Sequence, residues 1–122
     1  MKRAFAQESV LAMDPTTDSG APGAAITVAL CGHWEHDGPC PLAPHATAVH
    51  RVRDQVVVRT LFAAEPTDEA EVRRRIGQAL TDGALVGPDG STASWQLLST
   101  GPSAVAAGET DHAARLVRGP PA

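Results

Sequence analysis

Residues 65–83 form the best-bounded segment of this chain. Glu65-Pro66-Thr67-Asp68 precedes Val72, Ile76, Ala79 and Leu80, and Asp82-Gly83 follows. The four apolar positions recur at i, i+4, i+7 and i+8, which is one stripe of an amphipathic helix. Proline lies just ahead, Thr67 or Asp68 can cap, and Asp68 with Glu71 has capping-box spacing. Glycine ends the pattern. A helix with one apolar stripe must lie on something, and the surrounding apolar runs are of strand length. The spacing predicts strands at 25–31, 47–53, 56–63 and 94–100. In the first, Ile26, Val28 and Leu30 share one face; in the last, Trp95, Leu97 and Ser99 do. Asp54-Gln55 reads as the turn between the second and third strands, and 87–90 as a further turn. Residues 110–118 read as a short terminal helix.

Strand, strand, strand, helix, strand, helix implies an antiparallel sheet with its helices segregated. The expected class is α+β: an antiparallel sheet with helices on one face, either a ferredoxin-like variant or a dimeric α+β barrel. Residues 1–24 read as a disordered or weakly ordered tail, because 14–23 has linker composition. The domain then spans 25–118, and 119–122 should fray. Aromatic residues make up only 3%, so the core rests on Val, Leu, Ile and Ala. Such a core is marginal in a chain of 122 residues, and a homodimer would help stabilise it.

Charge and composition exclude several functions. The formal charge of −4 argues against binding nucleic acid through phosphate contacts. No run is long enough to cross a membrane. Lys2 and Arg3 resemble the start of a signal peptide, but Gln7 and Glu8 interrupt any apolar region. A cytoplasmic location is therefore expected, where Cys31 and Cys40 stay reduced. Lys2 is the only lysine among abundant Arg, Ala and Gly, a bias typical of high-GC bacterial genomes.

Chemistry concentrates in residues 31–50. Both cysteines, four of the five histidines and Trp34 lie there. Residues 32–46 carry Gly and Pro throughout and read as one long loop, a feature that is functional or disordered in small domains. Thiolate and imidazole are the ligands a borderline-soft metal prefers. The candidates are Cys31, His33, His36, Cys40, His45 and His50. The preferred set is Cys31, His33, His36, Cys40 and His50, with Cys31 and His50 opposed across a hairpin, holding Zn or Cu. Their spacing matches no familiar zinc pattern. The expected function is a bacterial metal-binding accessory domain.

The alternative is a small cofactor-free enzyme of specialised metabolism acting on a small-molecule or peptide ligand. Its acid–base groups would be His33, Glu35, His36 and Asp37. Trp34 would wall the pocket, and Arg51 and Arg59, with Arg53 nearby, would hold a substrate carboxylate. A third reading is a solvated loop without chemistry. Elsewhere Arg73, Arg74 and Arg75 read as the solvated side of the helix, paired with Glu69 and Glu71. Residues 109–112 read as surface, and Trp95 as core.

Overall fold

A computed structural model describes residues 1–31, 44–87 and 90–118. The strands are β1 (Arg3–Ala12), β2 (His45–Val52), β3 (Gln55–Ala64), β4 (Ala84–Val86), β5 (Thr92–Ser94) and β6 (Gln96–Ser103). The helices are α1 (Ala21–Cys31), α2 (Glu69–Asp82) and α3 (Thr110–Arg118). Four strands make an antiparallel sheet in the order β2-β3-β1-β6, and β4 pairs with β5 in a small separate ribbon. The fold is α+β and of ferredoxin-like type, two interleaved strand–helix–strand units with an inserted ribbon and an added terminal helix.

The first thirty residues depart most from expectation. Residues 3–12 are no tail: β1 is an inner strand, bonded to β3 on one side and β6 on the other. The strand was hidden because polar residues occupy its buried face. Phe5, Gln7, Ser9 and Leu11 point toward α1 and α2, and Gln7 and Ser9 are nearly inaccessible. Both are satisfied there. Gln7 Nε2 donates to Thr100 Oγ1 at 2.9 Å, and the Ser9 hydroxyl pairs with the same oxygen at 2.8 Å.

Residues 25–31 belong to a helix, not a strand. The run Ala25-Ile-Thr-Val-Ala-Leu30 is apolar in every direction, so periodicity cannot separate the two states. The local start signals decide it. The Asp18 carboxylate accepts from Gly20 N–H at 2.9 Å, and the Asp18 carbonyl accepts from Ala21 N–H. Pro22 then sits in the first turn, where a missing N–H costs nothing. Gly23 lets α1 approach β2 closely: a Cβ there would meet Thr47 Oγ1 at 2.8 Å.

The middle of the chain follows expectation with small shifts. β2 and β3 form a hairpin whose loop is Arg53-Asp54, one residue earlier than expected, with Arg53 left-handed at φ 58°. In α2 the residues Val72, Ile76, Ala79 and Leu80 are buried together. The Asp68–Glu71 capping box does not form: the Asp68 side chain makes no cap bond, and Glu71 instead accepts from Arg74 and Arg75. Gly83 ends α2 at φ 70°, and a Cβ on it would lie 2.7 Å from the Trp95 carbonyl. Trp95 separates β5 from β6, and its indole N–H donates to the Leu80 carbonyl at 2.9 Å, satisfying an acceptor at the end of α2.

Leu11, Val56, Val58 and Phe62 from the sheet meet Ile26 and Leu30 of α1 and Val72, Ile76 and Leu80 of α2. Arg73 is not on the solvated side. Its guanidinium lies over Phe5 and Phe62, 5.8 and 5.3 Å from the ring centroids, and donates to the Ala6 carbonyl at 2.8 Å. On the opposite face, Ala6, Leu61 and Ala63 are buried beside α3, whose Ala113 is 4% exposed. Thus α1 and α2 cover one face, and α3 covers part of the other. No described helix is long and apolar enough to cross a membrane.

Candidate functional site

Strand alternation divides the candidate residues between the two faces of the sheet. β2 pairs His45 with Phe62, Thr47 with Thr60, Val49 with Val58 and Arg51 with Val56. Those four residues of β2 therefore share the face of α1 and α2. Ala46, Ala48, His50 and Val52 share the face of α3. His45 and His50 consequently point to opposite sides.

Along the strand the separation is equally clear. α1 runs antiparallel to β2, with Gly23 beside Thr47 and Thr27 beside His45. Cys31 is one helical turn further on, beyond the start of β2. His50 lies five residues the other way, on the other face. The distance between Cys31 and His50 along this axis is roughly 20 Å. The hairpin register that paired them required a strand at 25–31. Because that segment is helical, the hairpin that would have opposed Cys31 and His50 does not form.

Cys31 and His45 are instead brought to the same end of the α1–β2 pair. The His45 ring is oriented there. Its Nε2 lies 3.1 Å from Thr27 Oγ1, and Thr27 Oγ1 donates to the Gly23 carbonyl at 3.2 Å. A hydroxyl has one proton. With that proton on the Gly23 carbonyl, the Thr27 oxygen is left to face His45 Nε2 as an acceptor. His33, Trp34, Glu35, His36, Asp37 and Cys40 lie outside the described residues. Among the described residues no group of three or more His, Cys, Asp or Glu is placed to hold a metal.

The arginines offered for substrate binding do not converge. Arg51, on the α1–α2 face, donates to the backbone carbonyls of Thr17 at 2.8 Å and Asp14 at 3.3 Å. It ties the β1–α1 connection to the end of β2. Arg59, on the α3 face, is also engaged. Its Nε and Nη2 donate to both Glu109 oxygens at 2.6 and 2.8 Å, and its Nη1 to Ser103 Oγ at 2.8 Å. Nη2 also meets the Ala104 carbonyl at 2.5 Å. The Arg59 guanidinium, with the Ala106 N–H, holds the Glu109 carboxyl down to about 2. This latch was invisible in sequence because its partners lie far apart.

A concavity with an apolar floor lies elsewhere among the described residues. Ala25, Val28 and Ala29 of α1, Ala79 of α2 and Leu85 of β4 floor a groove of about 390 Å³, rimmed by Arg74, Arg75, Gln78 and Asp82. Arg74 and Arg75 both bond Glu71, at 2.6 and 3.0 Å. That pairing holds the Glu71 carboxyl down to about 2. The groove contains none of the candidate metal, acid–base or substrate-binding residues read from the sequence. No family model and no curated protein matches this chain.

Proposed function

We propose that this chain is a small bacterial metal-binding accessory domain, taking Zn or Cu at the α1–β2 end in a reducing cytoplasm. The ligands are drawn from Cys31, His33, His36, Cys40 and His45, with His45 in place of His50. The observation that carries this reading is the placement of Cys31 and His45 at one end of the helix–strand pair, with the imidazole fixed by Thr27. A ligating histidine characteristically has its second ring nitrogen hydrogen-bonded, which sets the tautomer and the ring orientation. Thr27 fills that role for His45.

Elemental analysis of protein purified without added metal tests it. The expected result is near one Zn or Cu per chain, with a chelator lowering the melting temperature. His45→Ala and Cys31→Ser should empty the site, whereas His50→Ala should leave it full. Thr27→Val should weaken metal affinity about tenfold to a hundredfold. Metal-free protein that also fails to take up added Zn or Cu rejects the proposal.

A further inference from the structure

Residues 73–75 are three consecutive arginines, and only the first is taken up in packing. Arg73 lies over Phe5 and Phe62 and donates to the Ala6 carbonyl. Arg74 and Arg75 share one carboxylate instead. Nε and Nη2 of Arg74 donate to Glu71 at 2.9 and 2.6 Å, and Nε of Arg75 does so at 3.0 Å. Among the described residues nothing accepts from Nη1 of Arg74 or from either Nη of Arg75. Two guanidiniums on one carboxylate leave one positive charge over, with donors unspent.

That charge stands at one end of the groove between α1 and α2. Arg75, Ala79 and Asp82 follow at i, i+4 and i+7 and so lie along one face of α2. Ala25, Val28 and Ala29 of α1 and Leu85 of β4 complete the apolar floor. The three alanines stop at Cβ, which recesses that floor. The groove is about 390 Å³, room for about a dozen non-hydrogen atoms at roughly 30 Å³ each. Asp82 stands at the other end. Its Oδ1 accepts from Gln78 at 2.9 Å, and among the described residues nothing bonds its second oxygen. Arg75 and Asp82 are seven positions apart on α2, roughly 10 Å along the axis. The groove is positive at one end, negative at the other and apolar between.

We infer that this groove binds a small zwitterion, a carboxylate and an ammonium group about 10 Å apart on an unbranched hydrocarbon spacer, which is the chemistry of a long ω-amino acid. The carboxylate takes the terminal N–H groups of Arg75, whose planar fork matches it. The ammonium takes the free oxygen of Asp82. The spacer lies on Ala25, Ala29 and Leu85 and leaves water there. Each ion pair is exposed and weak by itself. Joining the two heads makes the second contact intramolecular, so the pairs act together. None of the proposed metal ligands lines the groove, so this inference stands apart from the metal reading.

Isothermal titration calorimetry of the full chain with 8-aminooctanoate tests it. Saturable binding at one site per chain is expected. Octanoate and octylamine each keep one head and should bind at least about tenfold more weakly. The shorter 4-aminobutanoate cannot reach both ends and should be weaker still. Asp82→Asn should bring 8-aminooctanoate down to the affinity of octanoate while leaving octanoate unchanged. Arg75→Gln should bring it down toward that of octylamine. Ala29→Leu fills the floor and should weaken all three eight-carbon compounds. Failure of 8-aminooctanoate to bind overturns the proposal. So does octanoate or 4-aminobutanoate binding as tightly, or an affinity that survives Asp82→Asn. Asp82 is exposed, and its variant should melt with wild type. If Arg75→Gln fails to fold, Asp82→Asn and the single-headed compounds decide.

Discussion

The two faces of the sheet are covered by different means. On one, α1 and α2 bury Leu11, Val56, Val58 and Phe62 under Ile26, Leu30, Val72, Ile76 and Leu80. That face is held by apolar area, which does not titrate. On the other, α3 covers Ala6, Leu61 and Ala63, three side chains of which two are alanines. There Arg59 holds the C-terminal segment through Glu109, Ser103 and the Ala104 carbonyl. The comparison teaches that a small apolar contact can be fixed in place by a directional one. The first face should fail only with the whole domain; the second can come loose by itself.

The largest effect is expected from a charge on the first face. Ile76→Asp buries a carboxylate with no partner and should cost more than about 4 kcal/mol. The expected outcome is loss of the cooperative thermal transition. A variant melting within a degree or two of wild type would break the comparison, because α2 would not be the principal cover.

A smaller, localised effect is expected on the second face. Arg59→Ala removes a partly buried bidentate pair and should cost about 2 kcal/mol. Hydrogen exchange should then accelerate at Ala113 and its neighbours in α3, while Val58 and Ile76 stay protected. Uniform acceleration across both faces would mean that α3 is integral to the core.

The smallest effect, and the sharpest, is in acid. Glu109 ordinarily titrates near 4.5 and is held down to about 2 in the fold. A folded value below the unfolded one stabilises above the unfolded value, and that stability is lost as pH falls from about 4.5 toward 2. Exchange in α3 should therefore rise over this window before exchange in α2 does. Glu109→Gln should flatten the rise. Glu71 is held equally low, but it is exposed, and its loss should leave both faces intact.

These differences also explain which parts were legible in the sequence. α2 was readable because one apolar stripe is bounded by Pro66 before it and Gly83 after it. β2 and β3 were readable because a short turn separates two runs with the right residue types. β1 was not, because Gln7 and Ser9 occupy its buried face and find their partner in Thr100, 93 and 91 residues on. α1 was not, because a segment apolar on every side fits a strand as well as a helix. That one misreading carried into the site: it placed Cys31 opposite His50 and overlooked Thr27 beside His45. The cysteine and histidine clustering itself needs no structure to be seen. Arg59 was singled out by residue type, but its partner Glu109 is fifty positions away, beyond the reach of local pattern.

The place of β1 has a consequence for how the chain is made. The strand that ends up between two others leaves the ribosome ahead of both. β3 follows only after α1, and β6 only after α2 and the small ribbon. Of the main sheet, only β2 and β3 are consecutive neighbours able to pair as a local hairpin. The nascent chain therefore carries β1 without a partner until β3 emerges, and one edge of β1 stays open until β6 closes the sheet. Slow codons ahead of β6 would lengthen the interval in which that strand is open to chaperones or to other nascent chains.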